Sequence, residues 1–270
     1  MNDSNVIGAI LGTERTNLSL TISKVCDGLC SASTYNRYEG GKMLPDKFML
    51  SALLERMGKN SNRVLYTVTD EEHRLLDIRK NILESIENED SDKTRQYLEE
   101  YSSISKTRSK NIHRQLELEV SGELCRMKND TKGAVSFYKE AFEQTCKKKL
   151  DDIDNSLYTV REFGLLYKIA SISDHNLLFK LGYFLKKLKD NHYLKVVYYG
   201  ELISELVSES ENRWMKQVQL EYIESALQYK RLIKQSKGVV RLLELKKKYA
   251  GELSEEEETI LKFDDLLGRN

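Results

Sequence analysis

The sequence predicts an all-α protein, and three observations carry that expectation. Pro45 is the single proline in 270 residues, and there are only 14 glycines. Strand-rich folds need many turns, and turns favour Gly, Pro and Asn-Gly pairs. Apolar residues recur at helical spacing along most of the chain, and strong helix formers such as Leu, Glu and Lys are abundant. With 40% apolar and 32% charged residues, the composition is that of an ordinary globular protein rather than a disordered one. The length suits two domains of ~100–200 residues each. The expected division is residues 1–68 and 69–270.

Val6, Ile7, Ile10 and Leu11 form one apolar face of a short first helix ending near Asn17. A second segment starts at Thr21, with Ile22, Val25, Cys26 and Leu29 on one face and Gly28 near its end, where a helix needs a permissive residue. A third starts at Ser31, a good N-cap, and turns Tyr35 and Tyr38 inward. Gly40 and Gly41 stop it. Asp46 then caps a fourth helix carrying Phe48, Leu50, Leu53, Leu54 and Met57, which ends at Gly58. Two short helices joined by a tight turn and braced by flanking helices make a helix-turn-helix.

At this point the sequence resembles the phage-repressor (XRE-type) helix-turn-helix family. The resemblance rests on Leu20-Thr21-Ile22-Ser23-Lys24-Val25 for the second helix. It rests also on Ser31-Ala32-Ser33-Thr34-Tyr35-Asn36-Arg37-Tyr38-Glu39-Gly40-Gly41-Lys42 for the recognition helix and its exit. Arg37, Glu39, Gly41, Lys42 and the following Pro45 are the most specific part. The resemblance implies binding to double-stranded DNA, with Ala32, Ser33, Thr34, Asn36 and Arg37 toward base edges. It also implies that Thr21 and Lys42 sit toward phosphates. The chemistry agrees: Arg bonds guanine O6 and N7, Asn bonds adenine N6 and N7, and an Ala or Thr methyl meets the thymine methyl. Ala32 departs from the long polar side chain common in the family, and Gly40 from its usual Asn, so base readout is expected to be thin. Arg37 paired with Glu39 or Asp27 on the surface, and Asn36 simply solvated, are the competing readings.

From Thr69 onward, amphipathic helices follow one another with short polar breaks, the first opened by the acidic turn Asp70-Glu71-Glu72. Their pairing at ~34–40 residues points to a tetratricopeptide-type array. Residues 111–146 resemble one such repeat. Gly122, Ala134 and Ala141 occupy the small positions where two helices cross closely, Tyr138 the aromatic position, and Leu118 and Cys125 the remaining large ones. A helix-turn-helix domain followed by a divergent array resembles the Rgg/PlcR-like, peptide-responsive regulators of Gram-positive bacteria. The segment from Tyr158 to Ala170 looks like a helix of their arrays. That resemblance implies a short signalling peptide bound by the array and a homodimer. Candidate peptide contacts on the expected first helices of the pairs are Arg114, Tyr167, Tyr199 and Tyr222; the alternative for each tyrosine is packing between helices with its hydroxyl wet. Leu242, Leu243, Leu245, Ile260, Leu261, Leu266 and Leu267 offer apolar surface for pairing two copies.

Other function classes find little support. Formal net charge is zero, with +2 on residues 1–68 and −2 on the remainder. A general electrostatic hold on nucleic acid is therefore absent, and any DNA contact must rest on a few placed groups. His73, His113, His175 and His192 are scattered, and no phosphate loop or nucleophile motif occurs. No enzyme activity and no cofactor are expected. Cys26 and Cys30 sit four apart, with no His or further Cys near them. A core cysteine is the expected reading over a metal ligand. No run of ~18 apolar residues and no basic-then-apolar leader is present, so a cytoplasmic protein with reduced thiols is expected. A tetratricopeptide adaptor that no longer binds DNA is the alternative function.

Overall fold

A computed structural model describes residues 3–64, 66–105, 109–147, 153–154, 156–210, 215–236 and 238–267, with side chains described as far as residue 264. Among the described residues there are fourteen α-helices, one 3₁₀ turn and no strand. The chain divides into two compact units, Met1–His175 and Asn176–Asn270.

The first unit opens with α1 (Asp3–Asn17), α2 (Ile22–Cys26), α3 (Ala32–Glu39) and α4 (Lys47–Arg56). Local chemistry starts three of them. Thr21 Oγ1 accepts from Lys24 N at 3.2 Å, Ser31 Oγ from Thr34 N at 3.0 Å, and Asp46 Oδ1 from Met49 N at 2.7 Å. Each such cap contributes about 1 kcal/mol. Gly28, Gly41 and Gly58 end three segments at φ +72°, +66° and +73°, a region where a Cβ is costly. Ile7, Leu11, Val25, Tyr35, Leu50 and Leu53 fill the centre of the bundle. Val6, expected on the same inward face, is 38% exposed.

The same unit continues through α5 (Asp70–Glu87), α6 (Ser91–Ile104), α7 (Lys110–Met127), α8 (Thr131–Thr145) and α9 (Val160–Ser173). Thr69 and Glu72 form a reciprocal capping box at the start of α5, and Thr159 and Glu162 form another at α9. The α7–α8 pair has the crossing expected of a tetratricopeptide repeat. A Cβ on Gly122 would lie 2.4 Å from Cε1 of Tyr138, so only glycine lets the ring in. Ala134, Tyr138 and Ala141 are fully buried and Leu118 nearly so, while Cys125 is half-buried.

The second unit comprises α10 (His175–Lys187), which starts at the boundary, α11 (Tyr193–Glu209), α12 (Lys216–Leu232), α13 (Val239–Ala250) and α14 (Glu255–Leu267). Leu181, Leu185, Leu202, Ile203, Ile223, Ala226 and Leu242 form its interior. Glu255–Glu258 form the acidic first turn of α14, and one of them is also bound inside the unit. Glu257 is buried, accepts from Ser254 N at 3.2 Å, and pairs with Lys246 at 2.9 Å and Arg231 at 3.0 Å. Of the apolar residues expected to pair two copies, Leu242 and Leu243 are buried inside the unit and Ile260 is 44% exposed. The side chains of Leu266 and Leu267 lie outside the described residues. No helix is long and apolar enough to cross a membrane among the described residues.

Candidate nucleic-acid interface and the helices behind it

Helix α3, the expected recognition helix, has two distinct faces. Tyr35 and Tyr38 point inward, with 0% and 7% exposure. Ala32, Ser33, Asn36 and Arg37 lie on the opposite face, exposed, and Thr34 is half-buried. Thr34 Oγ1 is hydrogen-bonded to Ser31 Oγ at 2.9 Å. Thr21 and Lys24 at the start of α2, and Lys42 beyond the end of α3, are exposed as well. Arg37 uses its carbonyl to close the exit turn, accepting from Lys42 N at 2.9 Å and Met43 N at 3.1 Å.

The carboxylate of Glu39, one candidate partner for Arg37, belongs to another arginine. Arg15 donates to Glu39 through Nε at 3.0 Å and Nη2 at 2.6 Å, and through Nη1 to the carbonyl of Leu20 at 2.9 Å. This fork ties α1, the turn before α2 and the last turn of α3 together. The hydrogen bond to Glu39 raises the Arg15 pKa further. Gly8 and Gly12 let α1 approach. A Cβ on Gly8 would fall 2.6 Å from the Tyr38 carbonyl, and one on Gly12 would fall 3.1 Å from Glu39. Sequence reading missed the brace, although two glycines four apart on α1 were a signal of close contact.

Cys26 belongs to the bundle core and Cys30 packs against it. Burial pushes both thiols up, Cys30 to about 12. No group of His, Cys, Asp and Glu able to hold a metal ion occurs among the described residues.

The rear of the bundle is anchored through α4. Arg56 is 3% exposed. Its guanidinium donates to Glu162 at 2.6 and 3.3 Å, to the Thr145 carbonyl at 2.9 Å, to the Val25 carbonyl at 3.3 Å and to the Asp27 carbonyl. One side chain thus joins the end of α2 to the end of α8 and the start of α9. Next to it, Glu55 accepts from Val160 N, in the first turn of α9, at 3.0 Å. Burial lifts the Glu55 carboxyl to about 7. Gly28 completes the contact: a Cβ there would lie 2.0 Å from the Thr145 carbonyl oxygen. Asp46 accepts from the Ser109 hydroxyl at 2.6 Å, and Glu72 accepts from Lys47 N at 2.7 Å.

The four residues expected to contact a peptide are less uniform. Arg114 is exposed on α7 and faces Glu117 at 3.3 Å and Glu140 of α8 at 3.9 Å. Tyr167 is half-buried on α9. Arg114 and Tyr167 belong to the first unit, Tyr199 and Tyr222 to the second. Tyr199 is 3% exposed and packs edge-on against Tyr229, with ring centroids 5.4 Å apart. Tyr222 is half-buried on α12, with the Lys186 ammonium 5.4 Å from its ring centre. The second unit also holds an apolar groove of about 890 Å³ whose walls include Leu227, Val239, Val240, Leu243, Ile260 and Phe263.

These features define a class: a helix-turn-helix bundle whose third helix exposes a polar face, followed by tetratricopeptide-like helices. No family model and no curated protein matches the sequence. Among solved structures, the chain is similar to Bacillus thuringiensis PlcR in complex with the peptide PapR7 and DNA. The TM-score is 0.53 at 12% identity, over 98% of this chain and 96% of that one. Streptococcus dysgalactiae Rgg2, the SHP pheromone receptor, gives a TM-score of 0.43 at 14% identity, over 97% and 94%. The fold is thus shared with PlcR over nearly the full length, while the sequences have diverged.

Proposed function

We propose that this chain is a sequence-specific DNA-binding transcription regulator, with residues 1–68 as its DNA-binding domain and residues 69–270 as a sensor for a short signalling peptide. The observation that carries the first half is the face of α3. Ala32, Ser33, Asn36 and Arg37 are exposed together on a helix whose other face is locked into the bundle, and the Arg15–Glu39 brace holds its last turn. A helix held this firmly with its polar side outward is suited to entering a major groove. The peptide half rests on the likeness to PlcR, whose complex contains both a peptide and DNA. Asn36 and Arg37 are the assigned base readers, and Thr21, Lys24 and Lys42 the assigned phosphate contacts.

The proposed regulator works as a homodimer. One helix-turn-helix covers a single short half-site, and two-fold pairing places two of them ~34 Å apart or a multiple of it. A gel shift of the full-length chain against its own upstream DNA tests DNA binding. Isothermal titration with a short peptide encoded beside the gene tests the sensor. The zero net charge favours one other reading, an adaptor without DNA binding, and absence of any shift at low salt would establish it.

A further inference from the structure

Arg79, on α5, is the odd member of a charged cluster on α5, α7 and α9. The neighbouring cations are matched. Arg161 pairs with Glu119, Lys168 with both Glu119 and Glu123 at 2.7 Å, and Arg126 with Glu123 at 2.8 Å. Arg79 makes no ion pair among the described residues. Its single hydrogen bond runs from Nε to the Tyr101 hydroxyl at 2.8 Å. That hydroxyl is 2.6 Å from His113 Nδ1. Burial, with the Arg79 charge adding to it, lowers the His113 pKa to about 4. The guanidinium lies 4.0 Å from the centre of the Phe48 ring, and its Nη2 is buried with no hydrogen-bond partner. Burial, with Arg161 adding to it, pulls Arg79 down to about 10.

Arg79 is half-buried, but its Nη2 is buried without the hydrogen-bond partner that such donors ordinarily have, which works against stability. Features that cost stability without a structural return concentrate at functional sites. A guanidinium fork matches a carboxylate, and the adjoining aromatic face favours an organic anion over a strongly hydrated inorganic one.

We infer that Arg79 receives a carboxylate of the ligand sensed by the repeat helices, either the free C-terminus or an acidic side chain of a peptide, or a small organic acid. The inference rests on the sensor reading above and adds the chemistry that the sensor selects. Two probes test it on the full-length chain: a random heptapeptide pool with free or amidated C-termini, captured on immobilised protein, and succinate in melting experiments at constant ionic strength.

Wild type should enrich carboxylate-bearing peptides roughly tenfold, the size of one charge-assisted hydrogen bond. Preference for free over amidated termini assigns the terminus, and enrichment of Asp and Glu in both pools assigns the side chain. A succinate-dependent rise in melting temperature without peptide enrichment assigns a small acid. Arg79→Met should lose the preference yet melt no lower than wild type without ligand. Arg79→Lys should retain part of it. A merely structural arginine would instead give a lower melting temperature in Arg79→Met and no change in anion preference, and that result overturns the inference. Peptides captured without any carboxylate preference overturn it too, while leaving the sensor reading intact; failure of the upstream-DNA gel shift bears on DNA binding alone.

Discussion

Arg37 and Arg56 belong to the same small bundle and meet opposite surroundings. Arg37 stands exposed on the outer face of α3, with the nearby Glu39 carboxylate already held by Arg15. Arg56 is buried and reaches Glu162 and three backbone carbonyls on α2 and its following turn and on α8. The difference separates two kinds of polar residue. A buried arginine ordinarily has its donors placed, as Arg56 does, because an unpaired charge away from water is expensive. An exposed arginine left without a protein partner is free to meet one from outside. Together they divide the bundle into a front that is available and a rear that is fixed to α8 and α9.

The largest effect should come from breaking the rear. Arg56→Ala leaves Glu162 buried without its partner and strands three carbonyls, so unfolding free energy should fall by about 3–5 kcal/mol. Urea denaturation followed by far-ultraviolet circular dichroism measures this, and a loss below ~1 kcal/mol, the size typical of an exposed ion pair, would mean that Arg56 is not an anchor. Next in size is Gly122→Ala, where the added methyl meets the Tyr138 ring. Overpacking of this kind costs about 1–3 kcal/mol. A melting curve unchanged from wild type would contradict the close crossing of α7 and α8.

Glu55 sharpens the same comparison through pH. Its folded-state value is raised to about 7 from an ordinary 4.5, chiefly by burial. The folded chain therefore binds the extra proton across that window. The favourable contribution is present below the ordinary value and is lost as pH rises through about 7. His113 acts in the opposite sense between about 4 and its ordinary 6.5, so the clean interval for Glu55 lies above that. Glu55→Gln should flatten the fall in melting temperature between pH 6.5 and 8, and should melt higher than wild type at the upper end. Parallel profiles for the two proteins would show that Glu55 does not titrate there.

How far the sequence reached depended on distance along the chain. The caps at Ser31 and Asp46 and the helix start at Thr69 were legible because a cap and the amide it meets are only three residues apart. The Gly122–Tyr138 crossing was legible through a repeat pattern that spans one helix pair. The Arg56–Glu162 pair joins residues 106 apart, and nothing local marks either member as buried. Arg15–Glu39 spans 24 and was hidden by a nearer candidate, Arg37. The tyrosines divided for a related reason. Helical spacing places Tyr199 and Tyr222 on helices, but only the neighbouring helix decides that Tyr199 is enclosed with Tyr229 and Tyr222 is not fully buried. Of the interface, the exposed set on α3 was readable from the family pattern, and the brace behind it was not.

The smallest effects on stability belong to the front, and there function should change instead. Lys42→Ala should weaken binding to all DNA sequences alike and lower the log–log salt slope by about one. Arg37→Ala should lose discrimination. An exposed helical Arg→Ala change moves stability by no more than ~0.5 kcal/mol, whereas one bidentate base contact is worth about 1–3 kcal/mol. The most direct measurement is an anisotropy titration of wild type and Arg37→Ala on operator and on scrambled DNA, with a melting curve for each protein. The front–rear division predicts equal melting temperatures and a loss of roughly 5- to 150-fold in operator affinity, with little change on scrambled DNA. Equal melting temperatures with unchanged affinity and unchanged selectivity would contradict the assignment of α3 as the base-reading helix.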